Sequence, residues 1–323
     1  MKKWIVLLGG MLILTIVSLY ILIPSQITVS ELGTSETTME AEYRFISQEF
    51  QWQKWWKDAN GKSHTPGNPF SYDGMDYSIT KEINNNNAVG VEIDVNGAKY
   101  HSVIHLIAFD QDSIGAIWRC ELPASINPVT RWQQFRKGRR IGRNMEDILK
   151  NLSRFISNPR NVYGFSFFRT SIRDSTMLSS RFISAAYPTN TELYSYIDII
   201  VKNIKKQKGE VNGKPLINVE KQPNGSFETQ VAIPTLHELK DDGNIVFRRM
   251  VPANFLCAEV YGGAYTAEEA LRQMHYFISD NHKSKQANAF QILLTDRRSE
   301  PDTLKWLTKI YIPVGNSDLP PKQ

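Results

Sequence analysis

Several things that would assign a chemistry are missing from this sequence. Of 323 residues only two are cysteine, Cys120 and Cys257, which excludes a disulfide framework and reads as two small buried hydrophobes in strands. Six histidines are spread without ligand spacing; His101 and His105, the nearest to a metal pair, fall on a strand where i and i+4 lie about 13 Å apart, too far to share an ion. A G-x-S-x-G elbow is lacking, and Gly209 to Lys214 is one residue short of a phosphate loop, with Pro215 where the magnesium-binding hydroxyl would stand. Basic residues exceed acidic ones by 38 to 33, with no long single-sign block, so a nucleic-acid footprint is not expected. No metal, cofactor or catalytic residue is assigned.

One long apolar run is present. From Trp4 to Ile23 there is no charge, and these twenty positions in a helix reach across a hydrocarbon core of roughly 30 Å. Pro24 ends the run. Lys2 and Lys3 precede it and Glu31 and Glu36 follow it, so the positive-inside rule places the N-terminus in the cytoplasm and the remainder outside. Ile23-Pro24-Ser25-Gln26 is a poor cleavage site, which favours an uncleaved anchor, with the lipid bilayer contacted through residues 4–23, over a signal peptide.

The rest divides into two regions, and the chain as a whole is expected to be α+β: an anchor at 1–25, domains at 26–158 and 161–316, and a tail at 317–323. In the first domain, Trp52, Trp55 and Trp56 sit in an aromatic stretch that reads as helix. Val89, Val91, Ile93 and Val95 alternate with small or polar residues as a strand with one buried face, and Asn96-Gly97 supplies a hairpin turn. A strand at 103–109 and another at 114–122 follow, the latter with Ile114, Ala116, Trp118, Cys120 and Leu122 inward. Met145, Ile148, Leu149, Leu152, Phe155 and Ile156 form the stripe of a closing helix. The basic run Arg136, Lys137, Arg139, Arg140 and Arg143 is placed before that helix, as a solvated face or a contact for lipid headgroups. This order, with Asn127-Pro128 and Arg131, resembles the SRPBCC (polyketide cyclase/START-like) superfamily. The resemblance implies a helix-grip fold, an antiparallel sheet wrapped on a long helix with a cavity between.

The second domain repeats itself. Its first copy has a strand through Phe182, Ile183 and Ala185, Tyr187, a capping box Thr189-x-x-Glu192, and a helix carrying Leu193, Ile197 and Ile200. The second has a strand at 255–260, Tyr265, a capping box Thr266-x-x-Glu269, and a helix carrying Leu271, Met274 and Ile278. Each returns in strands ending Ile233-Pro234 and Ile312-Pro313. A duplicated strand-helix-strand-strand unit predicts one sheet with helices on one side and a groove on the pseudo-twofold axis. Tyr261-Gly262-Gly263-Ala264-Tyr265, Leu294-Thr295-Asp296 and the segment 306–314 make this half resemble the GyrI-like, or AraC-type effector-binding, domain of bacterial multidrug-sensing activators. That resemblance implies an aromatic pocket with an acidic residue just before the Ile-Tyr pair. Lys309 stands there, which reverses the charge preference from cation to anion, with Glu259 as a substitute acid. Tyr265, Trp306, Lys309, Tyr311 and Glu259 are the expected ligand-binding residues of a membrane-anchored sensor or carrier of a small, partly apolar molecule. The alternatives are a cyclase- or hydrolase-type enzyme, or a regulator-related protein lacking its own DNA-binding segment.

Overall fold

The structure, a computed structural model, describes residues 2–85, 87–110, 113–172, 175–250, 252–282, 284 and 287–315, without the side chains at 2, 3, 5, 6, 9 and 81–85. The expected tail at 317–323 lies outside the described residues. The chain is α+β and forms two compact units, Met1–Asn158 and Pro159–Gln323.

The first unit opens with helix α1, Lys2–Leu22. Leu7, Leu8, Met11, Leu12, Ile13 and Leu14 are each more than 60% exposed, so the helix shows apolar side chains all round rather than on one stripe. Among the described residues no helix is long and apolar enough to cross a membrane. The elements that follow are strand β1 (Gln26–Ser35), helices α2 (Met39–Ser47) and α3 (Glu49–Trp55), strands β2 (Phe70–Tyr72), β3 (Met75–Asn85), β4 (Ala88–Val95), β5 (Ala98–Asp110) and β6 (Ser113–Pro123), and helix α4 (Pro128–Ile156). The strands form one antiparallel sheet in the order β1-β6-β5-β4-β3-β2. Two-residue turns join β2 to β3 through Asp73-Gly74 and β4 to β5 through Asn96-Gly97. All four of these residues have positive φ, as the twist of such hairpins demands.

The inward set on β6 is as the alternation predicts: Ile114, Ala116, Trp118, Cys120 and Leu122 are buried, and both cysteines of the chain are free thiols. The aromatic stretch is two short helices rather than one. Trp52, Trp55 and Trp56 are buried there, and their indole N–H groups donate to the carbonyls of Ile46, Phe45 and Ser71. With Phe45, Met75, Tyr77 and Trp118 they form a buried aromatic core, Trp52 stacking on Trp56 and Tyr77 standing edge-on to Trp118.

Helix α4 begins at Pro128, about two and a half heptads before Met145 opens its predicted apolar stripe, and contains the basic run that the sequence placed ahead of it. Pro128 opens it and the Asn127 carboxamide caps it, accepting from Val129 N at 2.9 Å and Thr130 N at 3.2 Å. Its contact with β1 is close because glycine occupies the crossing on both sides. A Cβ on Gly138 would lie 3.1 Å from Ile27, one on Gly142 3.1 Å from Val29, and one on Gly33 2.9 Å from the Leu149 Cβ. Arg131, buried on the same helix, donates to the Ile23 carbonyl at 3.0 Å and lies 4.7 Å over the Tyr20 ring, tying the end of α1 to the unit.

The second unit contains helix α5 (Pro159–Tyr163), strands β7 (Phe167–Ile172) and β8 (Ser175–Ser184), helix α6 (Asn190–Lys206), strands β9 (Leu216–Lys221), β10 (Phe227–Thr235), β11 (Val246–Met250) and β12 (Ala253–Tyr261), helix α7 (Ala264–Asp280), and strands β13 (Phe290–Leu293) and β14 (Leu307–Val314). Their single antiparallel sheet runs β11-β8-β10-β9-β13-β14-β12-β7. It is symmetric about the β9/β13 junction. The repeat is larger than the sequence indicated, because each copy has an additional leading strand, β7 or β11, which pairs with the other copy: β7 with β12, and β11 with β8. Consecutive strands β7 and β8 stand at opposite ends of the order, as do β11 and β12. A connection of two residues spans at most about 10 Å, so the sheet has to curl until its ends approach.

Helices α6 and α7 cover the outside of this curl. Leu193, Ile197, Ile200 and Ile204 pack on Leu178, Ile217, Val231 and Ile233, while Ala267, Ala270, Met274 and Ile278 pack on Leu256, Ala258, Ile310 and Ile312. The Thr189 capping box is present, with both reciprocal hydrogen bonds to Glu192. The Thr266 box is not. Helix α7 starts at Ala264 with Gly263 as its cap, which puts Thr266 inside the first turn.

Candidate functional site

The five residues singled out from the sequence do not converge. Successive strand residues point to opposite faces, and Ile310 and Ile312 face α7, so Lys309 and Tyr311 face the inside of the curl. Glu259 stands directly opposite Lys309 in the β12/β14 ladder and accepts its ammonium at 2.7 Å. The bond to Glu259 raises the Lys309 pKa above its ordinary value, with desolvation working against it. The two charges cancel locally, so Lys309 does not present the unmatched cation that would reverse the ligand preference. Tyr265 is 80% exposed on the first turn of α7, and Trp306 is buried on the helical side.

Beside Tyr311 the inner surface is aromatic. Tyr311 stacks on Phe290 with ring centroids 5.0 Å apart, and Phe255 stands edge-on to both. Cys257 is beneath them, its thiol pushed up to about 12 by burial, which leaves it protonated and unreactive at neutral pH. Ile172, Met250, Ala253, Phe290 and Ile292 pack around this cluster and are only partly buried. Apolar side chains from both ends of the strand order therefore share one inward surface, with a neutral ion pair next to it.

The helical side holds a group that the sequence did not distinguish. Arg297 is 7% exposed. Its Nη2 donates to Thr308 Oγ1 at 3.1 Å, its guanidinium carbon lies 4.9 Å from the Trp306 ring centroid, and its backbone N–H donates to the Tyr194 hydroxyl at 2.8 Å. Burial lowers its pKa, opposed by the neighbouring phenols of Tyr187 and Tyr194. The Tyr187 hydroxyl is itself raised by burial and by Glu268 on α7. Next to it, Arg298 points outward to Asp198 at 3.0 Å and Asp296 at 3.0 Å. Sequence alone gives two adjacent arginines with no ground for separating them.

In the first unit, a hollow of about 560 Å³ along β5 is lined by Thr80, Lys99, His101, His105, Arg119 and Glu121 among others. His101 and His105 are exposed on β5, and among the described residues no cluster of histidine, cysteine and carboxylates has a metal-binding arrangement. Of the basic run on α4, Arg140 holds Asp73 at 2.5 Å across the β2–β3 turn and Lys137 bonds the Tyr100 hydroxyl at 3.0 Å. Arg136, Arg139 and Arg143 are exposed.

No family model matches the chain, and no curated protein does. Among solved structures, 47% of this chain is similar to 98% of one described as the EcmrR C-terminal domain, at 15% identity and a TM-score of 0.42. A further 13% identical chain, SAV2435 bound to tetraphenylphosphonium, is covered over 95% of its length by 47% of this one, with a TM-score of 0.32. A hydrolase from Listeria innocua is covered over 92% by 46% of this chain, at 14% identity and a TM-score of 0.37. These likenesses are loose.

Proposed function

We propose that the protein is a membrane-anchored sensor or carrier that binds a small, partly apolar molecule on the inner surface of the second unit's curled sheet. The observation that carries this is the inward patch of Phe255, Phe290 and Tyr311, with half-buried Ile172, Met250 and Ile292 around it and the Lys309–Glu259 pair alongside. Such a surface offers a flat aromatic contact and one polar pair for orientation, which is the composition of a small-molecule site. The duplicated topology and its position in the chain support a GyrI-like effector-binding reading of this unit. The strand order and closing helix support an SRPBCC-type reading of the first. Glu259 is occupied by Lys309, which weighs against its use as a general acid and so against the hydrolase alternative.

Bilayer attachment is part of the same proposal, with the N-terminus cytoplasmic and both units outside. It is supported by the uncharged run from Trp4 to Ile23, by the all-round exposure of its apolar side chains, and by what lies at its exit. The Tyr20 hydroxyl bonds the Ile126 carbonyl, and Ile126, Val129 and Trp132 are exposed there with Arg136 and Arg139 following on α4. Apolar and aromatic residues backed by arginine suit an interface with headgroups.

Calorimetric titration of the full chain in detergent with neutral 1-naphthamide tests the pocket. Saturable binding weakened about tenfold by Tyr311→Ala, and left alone by Tyr265→Ala, is expected from the loss of one aromatic wall. Absence of saturable binding, or binding indifferent to Tyr311→Ala, would overturn the reading.

A further inference from the structure

From the surroundings of Arg297 we infer a second, separate site in the furrow between α6 and α7 that takes a small monoanion with a flat apolar body, an aromatic monocarboxylate in chemical class. Helices α6 and α7 each pack on their own half of the sheet, leaving the strands near the β9/β13 junction between them. Thr308 and Leu293 are paired in the β13/β14 ladder and share the face of Ile310, so Arg297, which bonds Thr308, lies over the outside of the sheet, opposite Tyr311 and Lys309.

Three features of Arg297 point to an anion. It is more than nine-tenths buried, yet among the described residues it has no carboxylate partner, whereas Arg298 next to it has two. A buried cation without a counter-charge is costly unless something else completes it. Among the described residues, one of its five side-chain N–H donors has a protein acceptor, Thr308 Oγ1. Among the described residues its other guanidinium N–H groups donate to no protein acceptor, which leaves them for a ligand to complete.

The neighbours define the rest of the ligand. Trp306 stands against the guanidinium, and Tyr194 and Tyr187 are close by, giving flat apolar contacts together with hydroxyls. A carboxylate matches the planar fork of a guanidinium with two parallel hydrogen bonds. Glu268, near enough to raise the Tyr187 pKa, disfavours a second negative charge. A monoanion is therefore preferred over a dianion such as phosphate.

The test compares benzoate with its neutral analogue benzamide, by calorimetry on the full chain in detergent. Benzoate is expected to bind about tenfold or more tightly than benzamide, because only the anion completes the guanidinium. Arg297→Gln removes that preference, Arg297→Lys keeps part of it, and Tyr311→Ala and Lys309→Gln leave it intact. Equal affinity for the two ligands in the unaltered protein, no binding of either, or a preference that survives Arg297→Gln would overturn the site. Should Arg297→Gln not fold, the comparison in the unaltered protein together with Arg297→Lys still decides, since loss of the preference on Lys309→Gln would move the anion to the other face. The 1-naphthamide titration reads the inner surface separately, so either site can fail without the other.

Discussion

Glu42 on α2 shows what one buried carboxyl does to stability. It is fully buried, and among the described residues its Oε2 has no hydrogen-bond partner while its Oε1 accepts from the Ser35 hydroxyl at 3.4 Å. Burial pushes its pKa from 4.5 to about 8, with the Ser35 bond opposing. In the unfolded chain this carboxyl ionises near 4.5, so between that pH and about 8 the folded state holds a proton that the unfolded state has released. Its contribution to stability is thus fully present below 4.5 and declines as pH rises toward 8. Replacing Glu42 with Gln is expected to stabilise the protein at pH 8 by on the order of a few kcal/mol. Denaturant unfolding from pH 5 to 8 checks this, and parallel pH profiles for the two proteins would refute it. Neither Glu42 nor Arg297 was legible beforehand. A glutamate at the start of a helix and an arginine in a polar loop are ordinary surface residues until the fold encloses them.

At the level of elements, α4 explains both what the sequence disclosed and what it concealed. Its second half carries Met145, Ile148, Leu149, Leu152 and Ile156 at helical spacing, and that periodicity was readable. Its first half faces the sheet with Arg131, Gly138, Ile141 and Gly142, so the apolar signal lapses where glycine provides the fit, and the basic residues read as a separate segment. Strand β1 was missed for a related reason: Gly33 and Ser35 replace bulk on its buried face. The strands flanked by Asn96-Gly97 were clear, since their alternation and their turn agree. Gly33→Ala should cost about 1–3 kcal/mol by overpacking, because the new methyl would sit 2.9 Å from the Leu149 Cβ. An unchanged denaturation midpoint would mean that β1 and α4 are not seated this closely. The second capping box failed on a local detail: Gly263 takes the cap position, and Thr266 then falls one turn too late.

At the scale of the whole molecule the repeat of the second unit was readable in the sequence. The sequence could not convey the exchange of leading strands, because β7 and β11 are short and their partners lie in the other copy. The bilayer attachment proposed for α1 yields a prediction of its own. The chain should remain with membranes through a carbonate wash, and a chain lacking residues 1–25 should be released; a full chain that washes off is not held by this helix. Arg131 and Tyr20 join the end of α1 to the first unit, so Arg131→Ala should loosen that junction and make the 20–26 segment more open to protease while membrane retention persists.

The crossed leading strands also bear on synthesis. Phe167–Ile172 leaves the ribosome well before Ala253–Tyr261, the strand it pairs with in the sheet, and Ser175–Ser184 waits likewise for Val246–Met250. Pairings so distant along the chain incur a loop-closure cost before any contact repays it, which slows folding. A nascent chain halted after Thr235 would therefore hold naked edges on β8 and β9, a hazard for aggregation until the second copy arrives.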